Sequence, residues 1–165
     1  MRFSFDQVVE VVPERAVSAY ADPRFYEGRP ARDHIEVVEV LSHRPAGDGR
    51  GVDIEVRFRF TGPVSSAVRA VIDPSKISWV TRTAVHPEDL RTEWEVLPDH
   101  YPDRLIGRGT FTFAPAGPAS TAVKVDGDLK VRVPIVGRSV ERVIVQGLRS
   151  YIENEVRTIP DVPWM

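Results

Sequence analysis

Val123-Lys-Val-Asp-Gly-Asp-Leu-Lys-Val-Arg-Val133, followed by Pro134, is the stretch whose reading decides the fold. Apolar residues alternate with polar or charged ones up to Val133, the two-residue period of a strand with one face in a core and one in water. At Pro134 the period changes. Val136, Val140, Ile144, Leu148, Ile152 and Val156 recur at every fourth position, and Val143 and Tyr151 widen the stripe. That is the apolar face of a helix from about Ile135 to Arg157, about 22 residues and about 33 Å long. A helix of that length with one apolar stripe needs a broad apolar surface to lie on.

The residues upstream supply that surface as strands. Arg2–Val12 carries Phe3, Phe5, Val9 and Val11 on one parity. Val52, Ile54, Val56, Phe58 and Phe60 alternate with Asp53, Glu55, Arg57 and Arg59. His34–His43, Ile77–Val85, Leu90–Leu97, Arg104–Phe113 and Ser120–Val133 read as the other five. Their separators are rich in Pro, Asp and Gly, so the connections are short and the sheet is antiparallel. Pro13 starts a short helix with Ala16, Val17 and Tyr20 inside, because a missing N–H costs nothing at the first helical position. Asp22-Pro23 ends it and leads into a second short piece, Arg24–Glu27. A third, amphipathic, fills Val64–Ile72 between two strands, either as a lid over a cavity mouth or as a fixed plug. The fold class is therefore α+β: seven antiparallel strands curved around a long C-terminal helix, with two short N-terminal helices and one inserted.

The chain's 165 residues suit one core, with residues 1–158 as the domain and 159–165 as a tail that its prolines keep from being helical. Trp164 in that tail is expected to dock on the domain. A net charge of −2 gives no field to attract nucleic acid. The absence of cysteine excludes disulfides, thiolate nucleophiles and Cys-based metal sites, and fits a reducing, cytoplasmic location. Met1-Arg-Phe-Ser-Phe-Asp6 lacks the apolar run of a secretory signal, and no stretch reaches membrane-span length, so no integral membrane association is expected.

Two segments carry a family resemblance. Val12-Pro-Glu-Arg-Ala-Val-Ser-Ala-Tyr-Ala-Asp-Pro23 looks like the opening of polyketide-cyclase-type proteins. Pro134-Ile-Val-Gly-Arg-Ser-Val-Glu-Arg-Val-Ile-Val-Gln-Gly-Leu-Arg-Ser-Tyr-Ile-Glu-Asn-Glu155 looks like the closing helix of the same superfamily. With the strand order between them, the chain resembles the START-like, or helix-grip (Bet v 1-like, SRPBCC), superfamily. Residues 63–73 and the closing helix narrow the resemblance to an actinobacterial START-like family. The resemblance implies a cavity for a hydrophobic small molecule; it does not choose among carriers, receptors and cyclases.

The inner parity of the sheet and the helix stripe give the candidate lining: Val56, Phe58, Phe60, Trp79, Thr81, Thr92, Trp94, Phe111, Phe113, Ile144, Leu148 and Tyr151. Thr81 and Thr92 would be polar anchors among apolar walls. A filled core is the competing reading. Gly107, Gly109 and Gly127 leave room or permit bending, and Gly147 would allow close approach to the long helix.

Glu39 shares a parity with Ile35 and Val37, which would bury it as a possible polar anchor; a β-bulge near Val38 would instead expose it. Glu153 and Glu155 read as solvating charges on the helix's wet side. The four histidines lack metal-site spacing, Gly47-Asp-Gly-Arg-Gly51 is a hairpin loop rather than a phosphate loop, and no serine elbow occurs. No cofactor, metal or catalytic residue is expected. The leading function is binding or transport of a hydrophobic small molecule such as a lipid, isoprenoid or polyketide. The alternatives are an aromatase/cyclase- or dehydratase-like enzyme, using Glu39, Tyr20 or Tyr26, and a protein-interaction module without ligand.

Overall fold

In the computed structural model, which describes residues 1–47, 49–135 and 137–163, the two periods of the opening stretch become a strand and a helix. The strands are β1 (Arg2–Val9), β2 (Ile35–Pro45), β3 (Val52–Phe60), β4 (Ser78–His86), β5 (Arg91–Pro98), β6 (Leu105–Gly117) and β7 (Ser120–Val131). They form one sheet in the order β1-β7-β6-β5-β4-β3-β2, antiparallel at every pairing. The helices are α1 (Pro13–Tyr20), α2 (Ser66–Arg69) and α3 (Gly137–Arg157). Pro23–Phe25 is a 3-10 turn whose first amide, at Arg24, is capped by the Asp22 carboxylate. The first strand ends at Val9 rather than Val12, because Pro13 begins α1 only four residues later and the chain must turn.

Alternation sets the two faces of the sheet. Ile54, Val56 and Phe58 face inward, while Arg57, Arg59 and Glu55 join an outer ladder of ion pairs. Arg59 reaches Glu36 at 2.7 Å, and Arg82 bridges Glu55 and Glu95 at 2.9 and 2.8 Å. Glu39 belongs to this ladder. The register shifts between Val37 and Glu39, so Val38 is the extra residue of a bulge and Glu39 turns outward opposite Arg57, 2.8 Å away. Glu39 is therefore not a polar anchor inside the protein.

The glycines of β6 and β7 leave no empty room. A Cβ on Gly109 would lie 2.5 Å from Trp94 Cζ2, and one on Gly127 would lie 2.3 Å from Phe3 Cζ. Aromatic rings fill both slots. Gly51 also carries a packing reason, since a Cβ there would lie 2.3 Å from the Val85 carbonyl oxygen. Asp48, in the same hairpin, is outside the described residues, as are Val136 and Trp164.

The core is denser at one end than at the other. Ala16 and Val17 of α1 are fully buried, together with Phe113, Val123, Val156 and Ile159. Ile159–Asp161 is a 3-10 turn, since proline is tolerated in a first turn, and Ile159 and Val162 return the tail to this core. At the other end α3 is only partly covered. Tyr151, Ile152, Glu155 and Val156 are buried, but Val140, Ile144 and Leu148 are half-buried and Val143 is 66 % exposed. Nothing lies within 4 Å of where a Gly147 Cβ would point, so this glycine serves no close approach. The inserted helix is shorter than its pattern and has no buried residue; it is neither a plug nor part of the cavity wall.

Candidate ligand-binding cavity

Where the dense end of the core gives way to the open one, the sheet and helices border a half-open cavity of about 90 Å³. Val56 and Phe58 of β3, Trp79 and Thr81 of β4, Trp94 of β5 and Phe111 of β6 form its floor. Leu148 and Tyr151 of α3 form its roof. These eight come from the expected lining; four others lie elsewhere. Thr92 and Phe113 are buried in the dense end, beyond the cavity. Phe60 sits at the end of β3 beside the His34 ring, and Ile144 lies on the half-covered part of α3. Thr83 and Val96 complete the floor, each two residues along its strand from an expected lining residue.

The cavity's polar end is built around a residue whose charge reads as water-facing in the sequence. Glu155 is 5 % exposed and lines the cavity with Tyr20, Tyr26 and Ile152. It lies three residues after Ile152 and four after Tyr151, which puts it inside the apolar stripe rather than on the wet side. Its partner is Arg29, from the loop between the 3-10 turn and β2, whose Nη1 donates to Oε1 at 3.0 Å. Arg29 is itself held in place. Its Nη2 donates to Thr158 Oγ1 at 3.1 Å, and its guanidinium stacks 3.8 Å from the Phe25 ring centroid. The same loop is clipped to α3 a turn earlier, where Asp33 accepts from Ser150 Oγ at 2.9 Å and Asn154 Nδ2 at 2.8 Å.

Burial pushes the Glu155 carboxyl above its ordinary value, and Arg29, Tyr20 and Tyr151 pull it only part of the way back. Burial likewise raises the phenols of Tyr20, Tyr26 and Tyr151, so all three are neutral hydrogen-bond donors at ordinary pH. Tyr26 Oη donates to the Tyr20 carbonyl at 3.3 Å. The hydroxyls of Tyr20 and Tyr151 face Glu155 and act on its charge as hydrogen-bond donors, although the contacts are too long or bent to be closed bonds. Trp94 Nε1 is buried without a protein partner. Two phenols held only loosely by Glu155, and an indole N–H with no partner, thus share a small, mostly apolar space where buried polar groups ordinarily close their hydrogen bonds.

The model of a family of proteins of unknown function (DUF2505) matches residues 4–161. The chain belongs to the DUF2505 family. No curated protein matches its sequence. Solved structures similar to this DUF2505 protein include one from Thermus thermophilus, at 16 % identity and a TM-score of 0.67, covering 98 % of each chain. The ZhuI aromatase/cyclase from Streptomyces sp. R1128 is similar at 12 % identity and a TM-score of 0.63, over 94 % of this chain and 91 % of that one. A START superfamily protein from Mycobacterium smegmatis is similar at 19 % identity and a TM-score of 0.54, over 92 % of each. The DUF2505 protein therefore has the START-like helix-grip fold. At such identities the likeness is one of fold alone.

Beyond the Val96–Gly107 pair, β5 and β6 part. A second hollow of about 360 Å³ opens there between Glu95–Pro98 and Leu105–Arg108, sharing Val96 with the cavity. Among the described residues, no helix is long and apolar enough to cross a membrane.

Proposed function

We propose that this DUF2505 protein binds, and by binding carries or presents, a small and largely apolar molecule in the cavity between sheet and α3. The observation that carries the reading is the set of incompletely satisfied buried donors within apolar walls: Trp94 Nε1, which has no partner, and Tyr20 Oη and Tyr151 Oη, which make only loose contacts with Glu155. Apolar walls with a few convergent polar groups suit a ligand that is buried for affinity and oriented by its polar atoms. Burial at about 25 cal/mol per Å² of apolar surface supplies the affinity.

The volume narrows the ligand. A space of about 90 Å³ is smaller than the roughly 300–1,000 Å³ of pockets that take drug-sized molecules. A lipid or isoprenoid chain overfills it. A compact aromatic, polyketide-like molecule suits it best, admitted as the half-covered part of α3 yields or through the adjoining gap between β5 and β6. The domain we assign to this is residues 1–158, with Ile159 and Val162 of the tail packed into its core, and we assign it to the cytoplasm and to the actinobacterial START-like branch on sequence alone.

Native mass spectrometry of protein purified without detergent tests the reading. A bound small molecule, lost in the cavity-filling variant Leu148→Trp, is the expected result. A bare mass, unchanged after incubation with one-ring aromatic compounds, would overturn it.

One observation favours a second reading, an enzyme of the cyclase or dehydratase kind. A carboxyl raised by burial and flanked by two neutral phenols is suited to moving protons on a bound carbonyl compound. Under this reading Glu155 replaces Glu39, and Tyr20 remains a candidate donor. Turnover that survives Glu155→Gln unchanged would dispose of it.

A further inference from the structure

The charge balance of the cavity bears on which ligands it admits, an inference that rests on the binding reading above. Arg29 is the cation at the polar end, and its two terminal nitrogens are already engaged by Glu155 and Thr158. The face of its guanidinium is covered by Phe25. Among the described residues that line the cavity, none is Lys, Arg or His. A carboxylate or phosphate brought inside would therefore meet no uncommitted cation from that lining and would face the Glu155 carboxylate. An unpaired buried charge is the costliest group a pocket can accept.

The incompletely satisfied donors make the opposite demand. The indole N–H of Trp94 is a donor only, and the phenols of Tyr20 and Tyr151 are neutral and can donate. A neutral accepting oxygen would partner the indole N–H outright and would compete with Glu155 for the two loosely held phenols. The volume limits the ring count. A cavity of about 150 Å³ takes benzene, so the roughly 90 Å³ here must gain about 60 Å³, by displacement of Leu148 or Tyr151, before one ring enters.

We propose that the cavity selects neutral, one-ring compounds bearing a hydrogen-bond-accepting oxygen, such as aryl ketones, and rejects their carboxylate counterparts. Tyr20, Tyr151 and Trp94 hold the oxygen. The Arg29–Glu155 pair excludes the anion, because it leaves the cavity with no net charge to offer.

Three probes of nearly equal size test this: acetophenone, benzoate and ethylbenzene, each titrated at pH 7 while the indole N–H signal of Trp94 is followed by NMR. Ethylbenzene is the most hydrophobic and would bind best if the donors played no part. The expected order is acetophenone, then ethylbenzene, then benzoate, with acetophenone at least about tenfold tighter than benzoate. Tyr20→Phe combined with Tyr151→Phe is expected to put ethylbenzene first. Glu155→Gln leaves Arg29 unopposed and is expected to strengthen benzoate binding by about tenfold.

Benzoate binding the wild type as tightly as acetophenone would overturn the exclusion of anions and leave the cavity reading standing. Ethylbenzene in first place would overturn the role of the donors in the same way. Failure of all three to move the Trp94 signal would overturn both this inference and the binding function beneath it. The wild-type order decides the matter even if a variant fails to fold.

Discussion

The carboxylate of Glu155 costs folding free energy where it stands. Burial raises its pKa above the ordinary 4.5, and Arg29 recovers only part of that penalty. A folded pKa above the unfolded one means that the folded protein holds the proton more firmly. The stabilisation from this group is thus complete below the unfolded pKa and is lost as pH rises through the folded one. Arg29→Met is expected to push the carboxyl higher still, a change that ¹³C NMR of the side chain would register. The same variant should lose up to about 3–5 kcal/mol at pH 7, where the carboxyl must either stand charged without its partner or take up a proton, and less at pH 5. Equal losses at the two pH values in urea unfolding would contradict the assignment. Glu155 reads as water-facing by its charge, although it falls three and four residues beyond two members of the apolar stripe, the spacing that buries it. Arg29 was not legible as its partner. Its reach depends on a loop with left-handed backbone at Gly28, Asp33 and His34, and no periodicity encodes that path.

At the scale of elements, one substitution made at two glycines has opposite expected signs. Gly147→Ala adds a methyl group where nothing lies within 4 Å, in the middle of α3. It should stabilise the protein by about 1 kcal/mol through helix propensity. Gly109→Ala, in β6, brings a methyl group to 2.2 Å from the Asp126 carbonyl oxygen and 2.5 Å from the Trp94 ring. It should destabilise by about 1–3 kcal/mol or more, since a paired strand has little freedom to move. Urea midpoints measure both. Amide exchange along α3 is expected to be faster over residues 138–148 than over residues 151–156, following the burial of its two halves. Strand identity was readable because a period of two is unambiguous in Val52–Phe60, which matches β3 residue for residue. The β2 bulge was readable only as one of two alternatives. Each extra residue reverses the side chains that follow it, the register shifts a second time between Val40 and Ser42, and composition gives no sign of where either shift enters. The inserted helix shrank from nine residues to four because propensity without a face to bury leaves short helices marginal.

For the whole molecule, the change of period at Pro134 was enough to set a long helix against a seven-stranded antiparallel sheet. How much space that arrangement leaves was not readable. Side-chain volume decides it, and rings from Phe3 and Trp94 occupy the slots that the glycines of β6 and β7 vacate. The result is a small cavity with a charged pair at one end, beneath a helix seated firmly over only half its length. The account rests on that cavity being open to a guest. NMR titration with ethylbenzene tests it most directly, because the probe offers nothing but apolar surface and size. The account predicts saturable shifts of the Trp79 and Trp94 indole N–H and Leu148 methyl signals, abolished in Leu148→Trp. Shifts confined to residues outside the cavity, or none at concentrations near the probe's solubility, would contradict it.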